Sequence, residues 1–130
     1  MAVERLLLID DSDIDNLVNR RIVEKNEFAK HIEVRNSVLT GINYLENTFL
    51  LNKEDLPDFI FLDIRMPVLD GFSFLRYFEK LDPFIHNKCK IAILSSSIDS
   101  EDYRRAMENR FVLNFMNKPL NGNALKELCK

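Results

Sequence analysis

Short apolar runs that end abruptly on polar or charged residues recur along this chain and set its organisation. Leu6-Leu-Leu-Ile9 runs into Asp10-Asp11, Phe59-Ile-Phe-Leu62 into Asp63, and Ile91-Ala-Ile-Leu94 into Ser95-Ser-Ser97; Val112 to Met116 predicts a further strand that ends at Asn117-Lys118-Pro119. Continuous runs of this kind predict strands buried on both faces, as in a parallel sheet. His31-Ile-Glu-Val34 instead alternates polar with apolar, which predicts a strand with one wetter face at the edge of that sheet.

Between the runs the apolar spacing becomes helical. Ser12-Asp-Ile-Asp15 has the form of a capping box, and Ile14, Leu17, Val18 and Ile22 predict a stripe facing the sheet on a helix that ends near Asn26. Ser37 caps a second helix with Val38, Ile42, Leu45 and Phe49 on one side, and Leu51 to Asp58 is a charged connection. A third helix follows Gly71 and buries Phe72, Leu75 and Phe78, with Phe74 and Tyr77 in the core or at its border. Asp82-Pro83 to Lys88 reads as a loop, Ser100 to Asn109 as a fourth helix with Tyr103, Ala106 and Met107 inward, and Asn121 to Cys129 as a short last helix. Strands alternating with helices in this way form βαβ units, whose right-handed crossovers give a parallel sheet covered on both faces. The expected fold class is α/β, flavodoxin-like, with five strands in the order 2-1-3-4-5; this order puts the alternating second strand at an edge and the continuous runs in the middle.

Composition narrows the picture. A chain of 130 residues that is 46% hydrophobic can form one core without disulfides or metal staples, so residues 1–130 are expected to be a single domain with no room for an output module. The net charge of −3 is mild and the basic residues are scattered, Arg20-Arg21 being the densest pair, which leaves no stripe for nucleic acid or an anionic membrane. Cys89 and Cys129 form no C-x-x-C pair and are expected to be reduced thiols of a cytoplasmic protein. The first apolar run is far too short for a signal peptide or a membrane span. His31 and His86 lack partners at metal-binding spacing, and His86 is expected to be exposed. Gly41, Gly71 and Gly122 are the only glycines and none forms a phosphate-cradling loop, which argues against a nucleotide-binding domain.

The predicted strand order carries the chemistry, because it brings Asp10, Asp11, Asp63, Ser95 and Lys118 to one crevice at the carboxyl ends of the strands. Each has a plain reading alone: a helix cap, a turn, a polar loop, a surface lysine. Together they form an acidic pocket with one hydroxyl and one ammonium. Crowded carboxylates repel unless a cation sits among them, and a few hard oxygen ligands suit Mg²⁺ or Mn²⁺. Asp63, on the central strand, is the candidate nucleophile toward phosphorus. Asp11 is the direct metal ligand, Asp10 acts through water or orients the shell, and the backbone carbonyl of Arg65 supplies a further oxygen. Lys118 offsets charge on the transferred group and Ser95 donates a hydrogen bond to it.

With those residues in place, the chain resembles the receiver domain of bacterial two-component response regulators over essentially its whole length. The matching pieces are Asp10-Asp11, Asp63 in Leu62-Asp-Ile-Arg-Met-Pro67, Asp70-Gly71, Ser95 and Lys118-Pro119, in order and at the ends of the right strands. The resemblance implies that Asp63 takes a phosphoryl group from a histidine kinase or phosphotransfer protein with Mg²⁺, and that the acyl phosphate later hydrolyses. It implies a switch in which Ser95 is drawn toward the phosphoryl oxygens and Phe115 follows, altering the surface of the last strand and the two helices that flank it. It also implies a cis Lys118-Pro119 bond and a control of phosphoryl lifetime by Arg65 and Ser97, two residues past Asp63 and Ser95. The downstream target is expected to be a protein, the chain a monomer or weak homodimer, and the only reactions its own phosphorylation and dephosphorylation.

Some features depart from the family pattern. The glycine usual before the last strand is missing near Phe111, which is expected to leave that ring exposed, and the last helix is short. Two other functional classes compete. Asp11-Ser-Asp13 loosely matches the D-x-D nucleophile of haloacid-dehalogenase-like phosphatases, but the acidic pair expected beyond Lys118 is missing and Asp63 would be idle. A phosphorylation-independent receiver-like adaptor is disfavoured by the full acidic set.

Overall fold

In the computed structural model, which describes residues 2–96 and 99–129, every continuous apolar run is a strand. The strands are β1 (Val3–Ile9), β2 (Ala29–Arg35), β3 (Phe59–Leu62), β4 (Lys90–Ser95) and β5 (Val112–Asn117). They pair in parallel in the order β2-β1-β3-β4-β5, as expected. All four residues of β3 are buried, and β2, at an edge, is buried only at Ala29.

Side chains alternate across the pleat, so each central strand feeds two cores. Leu7, Ile9, Ile60, Leu62, Ile91 and Ile93 point to one layer, which contains α2 (Val38–Leu51) and α3 (Gly71–Glu79). That layer also holds α4 (Pro83–Lys88) and α5 (Ser100–Met107), which contribute Ile85 and Ala106. Leu6, Leu8, Phe59, Phe61, Ala92 and Leu94 point to the other, where Val23 of α1 (Asp13–Lys25) meets Leu125 and Leu128 of α6 (Gly122–Leu128). Among the described residues no helix is long and apolar enough to cross a membrane.

Each helix opens on a side chain that accepts an amide bond of the first turn: Ser12, Ser37, Asp70, Asp82, Asp99 and Asn121. Asp82 explains why the segment expected to be a loop is the helix α4. Its carboxylate caps Phe84 N at 2.9 Å, and Pro83 stands at the first helical position, where a missing N–H loses nothing.

The face of α1 is the main correction. Ile14, Leu17 and Val18 point outward, with 74%, 50% and 40% of their surface exposed, whereas Asn16, Asn19 and Val23 are buried. Both sets have helical spacing, so periodicity alone could not choose between them. Ile22 is half-buried against the core. In α5, likewise, Ala106 is buried but Tyr103 and Met107 are partly exposed rather than inward. Phe111 is half-buried, not exposed: it meets Phe78 edge-on at 5.2 Å and His86 at 4.5 Å. His86 is therefore half-buried too, and its Nε2 bonds the Phe78 carbonyl at 2.6 Å. Cys89 is buried and Cys129 exposed, both as free thiols.

Candidate functional site

The sheet delivers the acids. Asp63 follows β3 directly, and its N–H donates to the Ile9 carbonyl at 3.0 Å, extending the β1–β3 ladder by one step. This fixes Asp63 beside Asp10, which follows β1. Asn16 holds the Asp10 backbone by donating Nδ2 to its carbonyl at 2.8 Å, which is why a polar residue occupies the buried face of α1.

The loop after Asp63 is closed by the start of α3. Gly71 N donates to the Ile64 carbonyl at 2.9 Å, and a Cβ on Gly71 would lie 2.8 Å from both the Asp63 carbonyl oxygen and Ile64 Cα. Only glycine permits that approach. At the loop's tip Val68 has φ of 67° and is fully exposed, an unfavourable backbone for a β-branched residue. Across the crevice, Lys118 N donates to the Ser95 carbonyl at 2.7 Å, which holds the lysine at the mouth; the Lys118–Pro119 bond is cis.

The side chains converge. Asp10, Asp11 and Asp63 each offer one carboxylate oxygen, and these lie within 4.8 Å of one another. Asp10 and Asp63 are buried and Asp11 is exposed. Lys118 Nζ reaches Asp10 at 2.5 Å, Asp15 at 2.9 Å and Asp63 at 3.8 Å. Burial first, and then the negative charge of Asp10, push the Asp63 carboxyl up to about 7; Lys118 and the Arg65 N–H offset this only in part. For Lys118 burial works against its charge, yet bonds to Asp10 and Asp15 and the charge of Asp63 raise its pKa above the ordinary value. The carboxylates thus carry more negative charge than the single ammonium among them compensates. Three hard oxygen donors with uncompensated charge fit a small divalent cation of the Mg²⁺ type.

The remaining predicted residues lie around this centre. Ser95 is buried at the end of β4. Phe115, half-buried on β5, meets Tyr103 of α5 edge-on at 5.2 Å. Arg65 donates its N–H to Asp63 Oδ1 at 3.2 Å, while its guanidinium turns away to Asp99 at 3.4 Å and to Asp102. Ser97 lies outside the described residues.

The sequence profile of the response regulator receiver domain matches residues 6–130. The chain belongs to that family. A two-component response regulator from Cytophaga hutchinsonii superposes with a TM-score of 0.90 at 32% identity, covering 97% of this chain and 93% of that one. Among curated proteins, the sensor histidine kinase CheAY of Helicobacter pylori is 27% identical over 96% of this chain, which spans only 14% of the kinase. The receiver domain of the histidine kinase CKI1 from Arabidopsis thaliana, complexed with Mg²⁺, shares the fold with a TM-score of 0.81 at 23% identity and covers 96% of this chain and 91% of that one. The chain is therefore a CheY-like receiver domain of two-component phosphorelay signalling, and its family is one of signalling modules rather than of enzymes acting on a separate substrate.

Two residues of this receiver escaped the sequence reading. Asp15 joins Asp10 on Lys118 from the first turn of α1, and its sequence position showed only a place beside the helix cap. Asp102 pairs with Arg65 from a distant element, and nothing local announced it.

Proposed function

We propose that Asp63 is the phosphoryl acceptor of this receiver, and that the donor is a phosphohistidine on a sensor kinase or phosphotransfer protein. The observation that carries the reading is the buried Asp63 carboxyl, crowded by Asp10 and faced by Lys118, at the carboxyl end of the central strand. An Asp63 oxygen attacks phosphorus, the phosphorus–nitrogen bond breaks, and its electron pair returns to the donor imidazole. Asp10, Asp11, Asp63 and the backbone carbonyl of Arg65 are the residues that would hold Mg²⁺ or Mn²⁺, which when bound neutralises charge on the transferring oxygens. The CKI1 receiver that binds Mg²⁺ has the same fold, which supports this choice of cation.

Lys118 shifts from Asp10 and Asp15 toward the new phosphoryl oxygens. Ser95 donates its hydroxyl to them, and Phe115 moves with it. Because Phe115 packs on Tyr103, the motion alters the face made by α5, β5 and α6, which then engages a downstream protein. Arg65, beside the acceptor, governs how long the acyl phosphate survives hydrolysis. Residues 1–130 act as one receiver unit in the cytoplasm. The competing phosphatase reading, with exposed Asp11 as nucleophile, leaves the buried Asp63 idle.

The test is incubation with acetyl phosphate and Mg²⁺, followed by intact mass and peptide mapping. One phosphoryl adduct on the peptide containing Asp63, absent in Asp63→Asn, is expected. An adduct on Asp11, or one that survives Asp63→Asn, overturns the reading.

A further inference from the structure

Arg65 stands between two parts of the molecule that have to communicate. Its backbone belongs to the acceptor loop and bonds Asp63 Oδ1 at 3.2 Å, but its side chain is engaged on the first turn of α5. There it meets Asp99, which caps α5 by accepting from Glu101 N at 2.9 Å and Asp102 N at 3.3 Å, and it meets Asp102 itself. The Asp102 side chain is only 16% exposed while that of Arg65 is 57% exposed, so the pair is shielded from water on its carboxylate side alone. The next residue, Tyr103, is the one that packs on Phe115. One guanidinium therefore ties the acceptor loop to the helix that carries the partner of the switch ring.

We propose that Arg65 is a latch with two alternative anionic partners: the Asp99–Asp102 pair of α5 in the unphosphorylated receiver, and the phosphoryl oxygens on Asp63 afterwards. Asp102 is then a positioning residue that acts on the acyl phosphate from outside the pocket, through Arg65. The proposal rests on Asp63 being the acceptor. A planar guanidinium fork fits carboxylate and phosphate equally well. The phosphoryl group carries about −1.5 to −2 charges but takes the place of the Asp63 carboxylate charge, so it adds about −0.5 to −1 beside the Arg65 backbone, spread over three acceptor oxygens, while the α5 pair offers fixed carboxylates. The two partners compete for one cation, so by linkage whatever strengthens the hold of Asp102 on Arg65 weakens the hold of Arg65 on the phosphoryl group. Release does not unravel α5, because acids in a first helical turn remain favourably placed at the positive end of the helix dipole. It frees the helix to move with Tyr103 and Phe115.

The experiment measures beryllofluoride affinity with Mg²⁺, and the lifetime of the acetyl-phosphate-labelled protein, in five variants: Asp102→Asn, Arg65→Ala, the double variant, Arg65→Lys and Glu101→Gln. Asp102→Asn is expected to tighten beryllofluoride binding and to lengthen the lifetime, each by about threefold. In the Arg65→Ala background the same substitution is expected to change neither, and in Arg65→Lys, which keeps the charge but loses the fork, less than in the parent. Glu101→Gln removes a negative charge from the same turn, where it pairs with Arg104, and is expected to be silent. Equal effects of Asp102→Asn and Glu101→Gln, or an Asp102→Asn effect that persists without Arg65, would reduce the finding to bulk charge and overturn the latch. A silent Asp102→Asn overturns it as well. If instead labelling survives Asp63→Asn, it is the acceptor assignment that fails.

Discussion

Asp58 and Asp63 bracket the same buried strand, and the protein treats them in opposite ways. At the amino end of β3, Asp58 accepts from Glu4 N at 2.9 Å and Arg5 N at 3.1 Å with one oxygen, and from Lys88 Nζ at 2.8 Å with the other. Partial burial opposes its charge, but these three donors outweigh burial and hold the carboxyl below its ordinary range. At the carboxyl end, Asp63 receives one amide bond and a share of a lysine that lies closer to two other carboxylates. Its carboxyl is driven up to about 7. A carboxylate with its donors complete pins the start of β3 to β1 and to the end of α4. One left short of positive charge is ready for a cation and for a phosphoryl group. The difference in satisfaction, not in residue type, separates structure from chemistry.

The sharpest way to break this comparison is to remove the lysine at each end. Lys118→Met is expected to slow labelling by acetyl phosphate by about a hundredfold, since the charge that meets the transferred oxygens is lost. Lys88→Met is expected to leave labelling unchanged and to lower stability, measured as a reduced urea midpoint. Replacing the acid instead, Asp58→Ala leaves the Glu4 and Arg5 amides and Lys88 without their acceptor. It is expected to lose about 2 kcal/mol in urea unfolding while labelling remains as in the parent.

A subtler test uses pH, because the two acids tilt stability in opposite directions. Asp63 has its pKa raised from 3.8 to about 7 in the folded chain, so its protonated form is favoured by folding. The stability it contributes is complete below about pH 4 and is lost as pH rises through about 7. Asp58 is depressed, so its contribution is complete above the ordinary carboxylate range and is lost only as pH falls through its folded value. In EDTA the urea midpoint is expected to fall between pH 5 and pH 8, and either Mg²⁺ at pH 8 or Asp63→Asn is expected to abolish that fall. A midpoint that is flat in EDTA across this range would show that the charge on Asp63 is already compensated.

The smallest effects concern backbone near each end. Val68→Gly relieves a left-handed β-branched residue on the acceptor loop and is expected to add about 1 kcal/mol of stability. Glu27, with φ of 51° just past α1 at the opposite end, is expected to yield about 0.5 kcal/mol on substitution by glycine. Differential scanning calorimetry reads both.

What the sequence could disclose follows from the range of the interactions concerned. The strands and their order were legible because an apolar run and its polar terminus are local signals, and the meeting of Asp10, Asp11, Asp63 and Lys118 then followed from topology. The inward face of α1 was not legible. Its buried Asn16 serves the Asp10 backbone, and an apolar stripe of equal periodicity faces solvent. α4 was hidden because Asp82-Pro83 opens a turn and a helix with the same residues. Phe111 looked exposed once its usual glycine was gone, yet Phe78 and His86 supply a pocket from two other segments. The roles of Asp15 and Asp102 depend on where α1 and α5 come to rest, which no local pattern encodes.

The ring contact between Tyr103 and Phe115 also gives the molecule an optical handle. The chain has three tyrosines and no tryptophan. Tyr44 lies under the Arg35 guanidinium beside the β2 edge and Tyr77 sits on α3, so of the three only Tyr103 packs edge-on against the switch ring. With no indole to mask it, ultraviolet-excited phenol emission from the unlabelled protein should change when that contact opens, and a Tyr103→Phe control would assign the signal.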